Sequence, residues 1–353
     1  MSPDPVPRHT PLVRAMAIAI GLSAIVSVIV LAFSWPTVTS AVRDLPLAIA
    51  GPTAQVEQVR DALEDSAPGA FALTEVADRD AAVDGIEDRS VYGAILLGQE
   101  PEVLTASAAG PAVSQLLDGI AATLQQRLDA ALAAQGVPAK ATVTVTDVVP
   151  LAGSDPRGVG LTAAAFPLVL GGMLGGILVS ILVIGAWRKL LTVVVYSAVG
   201  GAALAAILQG WFGSLQGDYW ADAGAIALSL LAIGATIVGF SALVGRAGVA
   251  IGPVLFLLIA NPISAAAQPL EFLPKPWGAV GQWFPPGASA TLLRDLSYFP
   301  HAPTAFPWLV LGLWSLAGIL LGIAGHFRTG VVVESRPVEP RPGAEAESEA
   351  AIA

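Results

Sequence analysis

The sequence contains no cysteine. That excludes a disulfide framework, a thiolate nucleophile and any Cys-ligated metal. Histidine is almost as scarce. His9, His301 and His326 lie far apart, each beside the end of an apolar run, where an interfacial or solvated role accounts for them better than a metal cluster does. Charge is thin as well, at 12% of the 353 residues, about half the roughly 25% of ordinary soluble proteins. No phosphate-binding fingerprint occurs, because no Lys-Ser/Thr follows any of the glycine clusters. The chain is therefore expected to bind no cofactor of its own and not to hydrolyse ATP by itself.

What is present instead is apolar. Hydrophobic residues make up 55% of the chain and the mean hydropathy is +0.72, which places the sequence in the membrane class. The formal net charge of −10 is localised: between Trp35 and Gly158 stand 17 Asp/Glu against 7 Lys/Arg, and the remainder is neutral. A solvated acidic face of this kind argues against nucleic acid, whose phosphates it would repel.

Six stretches reach the length needed to cross about 30 Å of hydrocarbon at about 1.5 Å per residue: 15–34, 159–187, 190–212, 223–245, 247–267 and 305–326. The first follows Arg8 and Arg14 and is longer than a cleavable signal core, with no small-x-small site after it, so it reads as an uncleaved first span. Alternation of six spans puts Arg8, Arg14, Arg188, Lys189, Arg246 and Arg328 on one side. The positive-inside rule makes that side the cytoplasm of a plasma (inner) membrane protein with both termini inside, residues 1–14 and 327–353. The tail, rich in Pro, Glu and Ala, reads as disordered. Residues 35–158 then lie outside. Alternating strand-like runs (47–50, 70–76, 91–97, 102–107, 142–148) and helical runs (55–63, 78–88, 114–134) predict an α/β fold there, one sheet with helices packed on it. The fold class is thus an integral membrane bundle of six helices with an inserted extracytoplasmic α/β domain.

Three sets of residues stand out. Gly171, Gly172, Gly175 and Gly176 form two overlapping GxxxG patterns, a close helix-packing seam within one chain or between two. Trp187, Arg188, Lys189 and Arg246 mark the expected cytoplasmic turns, the place where a coupling partner would engage. Residues 268–304, entered through Asn261 and Pro262, are dense in Pro and aromatic residues, including Pro274, Trp277, Pro285, Pro286, Gly287 and, near the end, Arg294. Proline forbids one continuous helix, and Trp and Tyr settle at headgroup level. Two short helices, about 275–283 and 286–296, dipping into the outer leaflet satisfy both facts; a plain outer loop with an aromatic anchor is the alternative. No Asp, Glu, Lys or Arg falls inside the expected spans, where Gln209 and Asn261 are the strongest polar groups. Ser154 and Asp155 have no histidine near them in sequence.

The order of parts resembles ABC-2-type transporter permeases, more narrowly the YhgE/Pip-like and DUF3533-like membrane proteins of actinobacteria. The resemblance rests on Leu273-Pro274-Lys275-Pro276-Trp277, Phe284-Pro285-Pro286-Gly287, Leu293-Arg294-Asp295, Tyr298-Phe299 and Asp155-Pro156-Arg157-Gly158. Val91-Tyr92-Gly93-Ala94 and Leu104-Thr105-Ala106-Ser107 belong to it too. It implies a non-enzymatic permease subunit in the lipid bilayer, a homodimer or heterodimer, exporting a hydrophobic or amphipathic substrate with a separate ATPase subunit. Such permeases grip their ATPase through an amphipathic N-terminal helix and a coupling helix; here Pro3, Pro5, Pro7 and Pro11 interrupt the former, and Trp187-Arg188-Lys189 is nearly all of the latter. The competing expectation is a non-transporting envelope protein whose outer domain binds a partner, a cell-wall component or a phage.

Overall fold

The structure, a computed structural model, describes residues 10–136 and 141–334, with side chains described to residue 327. His9, Pro3, Pro5, Pro7 and the tail beyond Glu334 lie outside the described residues.

Five helices are long and apolar enough to cross a membrane: α1 (Leu12–Val38), α5 (Val159–Leu182), α6 (Ala186–Ala205, continued to Trp211 by a wider π turn), α7 (Tyr219–Val244) and α11 (Ala305–Glu334). α7 is the hub of the bundle, touching α5, α6 and α11 along its length. Small residues make this possible. A Cβ on Gly176 of α5 would stand 2.8 Å from the Gly234 carbonyl oxygen of α7, and one on Gly239 would stand 2.5 Å from that of Gly318 in α11. Backbones that close gain packing where apolar burial alone offers none.

The expected spans needed four corrections. The run 247–267 is not one long helix: α8 (Arg246–Gly252) continues as a π turn through Pro253–Ala260 and stops there, Pro253 and Pro262 having removed the amides that would carry an unbroken ladder. The run 159–187 ends at Leu182, and α6 begins at Ala186 after Gly185, whose φ of 97° suits glycine alone. Trp187, Arg188 and Lys189 therefore belong to the first turn of α6 rather than to a loop, and the Lys189 ammonium donates to the Ser180 carbonyl at 2.8 Å, finishing α5. α7 starts four residues early, its first amides capped by Asp218 (Ala221 N–H to Oδ1, 2.8 Å), so Asp222 falls inside this apolar helix and is fully buried with no partner for either carboxyl oxygen among the described residues. α11 runs on to Glu334, through the start of the expected tail.

Between α1 and α5 the chain builds a five-stranded sheet of order β2-β1-β3-β4-β5: β1 (Leu45–Ala50), β2 (Phe71–Glu75), β3 (Ala94–Leu96), β4 (Glu102–Thr105) and β5 (Thr144–Asp147). All neighbours are parallel except β3 and β4. The expected strand 91–97 shrinks to three residues, because Gly93 must let the Leu104 carbonyl and the Leu117 side chain approach within 2.6 Å of where a Cβ would sit. Helices α2 (Thr53–Ser66), α3 (Arg79–Glu87) and α4 (Pro111–Ala134) cover the sheet. Inward residues follow helical spacing: Val56 in α2, Ala82 and Ile86 in α3, and Val113, Leu117 and Ala121 in α4. β5 points back toward α5, where the Asp155 carboxylate accepts from the Val159 and Gly160 amides at 3.0 and 2.7 Å and so caps the helix that follows.

After α8 the chain folds into α9 (Trp277–Gly281) and α10 (Pro285–Tyr298). Ten of the fourteen residues of α10 are buried, packed against α7 and α11. Its start is dictated by sequence. Pro285 and Pro286 stand where a helix needs no amide, and Gly287 lies where a Cβ would be 2.3 Å from the Gly281 carbonyl oxygen.

Candidate functional site at the junction of sheet and hairpin

The sheet, the hairpin and the start of α11 line an open cavity of about 480 Å³, within the usual range of ligand pockets. Its wall is amphipathic. Arg89, Tyr92, Glu271, Arg294 and Asp295 contribute polar groups, while Trp283, Phe306 and Leu270 contribute apolar surface.

Arg89 reaches the cavity because the turn after α3 places it in the left-handed region, φ 61°. A non-glycine residue there costs about 1–3 kcal/mol and persists only where its surroundings enforce it. They do: Ser90 N–H donates to Asp88 Oδ1 at 2.8 Å, Ser90 Oγ to the Gly85 carbonyl at 3.1 Å, and Val91 N–H to the same carbonyl at 3.0 Å. The guanidinium then donates to Asp295 of α10 and stacks 5.2 Å from the centre of the Phe299 ring. With Asp295 only 5% exposed at its side chain, each charge depends on the other, since a buried ion left alone is expensive. Beside them Arg294 donates to the Ala266 carbonyl at 3.1 Å, and Gln282 links Ser264 and Thr291 (3.1 and 2.7 Å). Burial first, and the neighbouring Glu271 carboxylate second, hold the Tyr92 phenol above its ordinary range. One Glu271 oxygen is buried with no hydrogen-bond partner among the described residues.

Contacts around the cavity tie the hairpin to the sheet and to the end of α1. Lys275 pairs with Asp44 at 2.6 Å, His301 with Glu87 at 3.1 Å, Ser40 Oγ donates to Gln268 Oε1 at 3.1 Å, and the Ala41 amide donates to the Phe272 carbonyl at 3.1 Å. Among the described residues three non-glycines have positive φ, Asp44, Arg89 and Ala265. All three sit at this junction: Asp44 holds Lys275, while Arg89 and Ala265 line the cavity.

Of the hairpin residues singled out by sequence, Arg294 lines this cavity, together with Asp295 from the Leu293-Arg294-Asp295 motif. Asn261 ends the π turn and Pro262 follows it; the Pro274 carbonyl accepts from Trp277 N–H at 2.9 Å, and Trp277 packs edge-on against Trp35 at 6.2 Å. Pro285, Pro286 and Gly287 shape α10. Gly171, Gly172, Gly175 and Gly176 face Leu230, Ile233, Tyr196 and Gly234, all on α6 and α7 of the same chain. Trp187, Arg188 and Arg246 are exposed at the ends of their helices, far in sequence from the cavity. Sequence reasoning missed Arg89, Glu271 and Gln282, and named Tyr92 only within a motif of the resemblance; the one available signal was the density of charge (Glu271, Arg294, Asp295) inside an aromatic and proline-rich stretch. Gln209 donates to the Gly217 carbonyl at 2.9 Å, and Ser154 to that of Gly213 at 2.7 Å, so both tie loops together. Among the described residues no group of His, Asp or Glu side chains is arranged to hold a metal ion.

Comparison with models of known families, with curated proteins and with solved structures finds no match for this chain.

Proposed function

We propose that the chain is the permease subunit of an ABC-2-like exporter in the plasma membrane, moving a hydrophobic or amphipathic substrate with energy from a separate ATPase. In this reading six segments enter the bilayer. Five are the long helices and the sixth is Arg246–Ala260, whose about 22 Å at about 1.5 Å per residue falls short of the full thickness and is completed by the hairpin. The α/β segment lies outside, the termini lie in the cytoplasm, and a homodimer or heterodimer forms the pathway.

The observation that carries this reading is the hairpin folded into the helix bundle and roofed by the sheet, with an amphipathic cavity of about 480 Å³ between them. A permease for an amphipathic molecule needs such a compartment where the spans meet the outer surface. Reconstitution in vesicles with candidate ATPases tests it. Efflux of an amphipathic dye that needs both ATP and this chain, and that falls at least tenfold in Arg294→Ala, is the expected result. No ATPase stimulating efflux, and none co-purifying in mild detergent, overturns the transport reading.

One observation favours the envelope-protein reading. On the basic side α5 and α6 are joined by Val183–Gly185 alone, and α7 and α8 by Gly245 alone, which leaves an ATPase little to grip. Under that reading deletion of residues 36–157 abolishes function; activity retained by the spans alone eliminates it.

A further inference from the structure

A second concavity lies on the sheet segment, away from the junction, and its chemistry is the opposite of the first. Right-handed crossovers place α2 and α4 on the same face of the sheet, and Val59, Leu63, Ile120 and Leu124 pack there against Ile49, Val56 and Ile95. Each helix has a wider apolar stripe than the sheet covers. In α4 the row Val113, Leu117, Ala121 is buried, while the adjacent row Leu116, Ile120, Leu124 is half-exposed. In α2 Val56 is buried, while Val59 and Leu63 are half-exposed. The two uncovered rows face each other across a groove of about 410 Å³, which Phe71 also lines.

Two features say what the groove is for. Gly119 sits in the middle of α4, where glycine costs about 1 kcal/mol against alanine. Among the described residues nothing lies within 4 Å of where its Cβ would be, so none of them requires a glycine there, and its lack of a side chain leaves the groove open at that point. The second feature is charge. The segment from Trp35 to Gly158 holds 17 acidic residues, yet among the described residues none of them lines this groove, whose one charged lining residue is Arg127. Among the described residues Arg127 has no ion pair. From Gln115 to Arg127 the groove follows α4 for about 18 Å at about 1.5 Å per residue. That is close to half of the roughly 30 Å hydrocarbon thickness, the reach of one leaflet's acyl chain.

We propose that this groove binds a single-chain fatty acid, with the hydrocarbon between α2 and α4 and the carboxylate at Arg127. The inference concerns binding alone and stands whether or not the chain transports. The probe is a diazirine-bearing palmitic acid, photolysed on the full-length protein in nanodiscs, with the labelled residues read by mass spectrometry. Labels on α2 and α4 are expected. Gly119→Phe, which fills open space and leaves the thermal unfolding midpoint unchanged, is expected to cut labelling there at least tenfold. Arg127→Gln is expected to cut labelling by the acid about threefold to tenfold, and to leave labelling by the matching fatty alcohol unchanged. Labels confined to α1 and the other lipid-facing helices, labelling of the groove undiminished in Gly119→Phe, or equal losses of acid and alcohol in Arg127→Gln would each overturn the proposal. Should Gly119→Phe not fold, the acid-against-alcohol comparison in Arg127→Gln decides alone. Displacement of the probe by a diacyl phospholipid but not by unlabelled palmitate counts against a single-chain occupant.

Discussion

α7 and α1 are almost matched as apolar helices and opposite as packed ones. Their most apolar eighteen-residue windows have mean hydropathies of 2.2 and 2.7, yet 61% of that window is buried in α7 and none of it in α1. Hydropathy tells which helices suit hydrocarbon, and says nothing about what they touch there. In α7 small residues meet small residues on three neighbours, as at Gly176–Gly234 and Gly239–Gly318. Among the described residues nothing lies within 4 Å of the would-be Cβ of Gly21 in α1, and the ring contacts and burial of α1 gather near its C-terminal end. There Phe33 meets Phe166 at 6.3 Å, Trp35 meets Trp277 at 6.2 Å, and Pro36 is buried. α7 is held along its side; α1 is held through the junction.

If that contrast is right, the largest single effect belongs to the junction. Arg89→Ala strands Asp295 as an unpaired buried acid and should cost about 3–5 kcal/mol. The double change Arg89→Met with Asp295→Leu should cost less than the single one, measured by thermal unfolding in detergent. Next comes the pair that sets side-packing against end-holding. Gly176→Leu drives a side chain into the α7 backbone and should cost about 1–3 kcal/mol or more, whereas Gly21→Leu should leave the unfolding midpoint of the monomer unchanged. Equal losses in the two would dissolve the distinction. Trp35→Ala removes an edge-to-face pair and should cost about 0.5–1.5 kcal/mol beyond its lost burial, and it should free α1, raising proteolytic cleavage between Val38 and Leu45 while α7 stays protected.

The smallest effect is expected far from both helices. Arg79, hydrogen-bonded at 2.9 Å, and then Thr146, hold the Glu102 carboxyl below its ordinary range. A depressed carboxyl pKa adds stability above the unfolded value of about 4.3 and loses it as pH falls through the folded value. Glu102→Gln should therefore be slightly less stable than the parent at pH 7 and indistinguishable from it once the pH lies below both values. A gap that widens on acidification would contradict this. Arg79 is half-exposed, so solvent screens the pair and keeps the effect small.

Much of the architecture was legible because it is written in periodicity. The spacing of Val56, Val59 and Leu63, the Thr/Val alternation before Pro150, and the runs between Arg188, Gly213 and Arg246 each specify an element by nearest neighbours in sequence. Boundaries failed where a single residue overrides composition: Gly185 splits a continuous apolar run, and Asp218 starts α7 early enough to bury Asp222. The junction was legible only on its hairpin side, where Arg294 and Asp295 stand out in the sequence, and not in its pairing. Arg89 and Asp295 stand 206 residues apart, and each alone reads as a surface charge. Only the crossing of chain segments makes them a pair. The groove along α4 lay in between: the second apolar row Leu116, Ile120, Leu124 is visible in the sequence, but that the sheet leaves it uncovered is not.

The account rests on one architectural claim, that the α/β segment and the basic helix ends face opposite sides of a membrane. A chain without cysteine is suited to the test. Gln99→Cys in the β3–β4 turn and Arg188→Cys at the start of α6, each the sole cysteine, should be treated in intact cells with a membrane-impermeant maleimide. The account predicts that Cys at 99 is labelled in intact cells and Cys at 188 only after the membrane is permeabilised. Labelling of both from outside, or of position 188 alone, would contradict it.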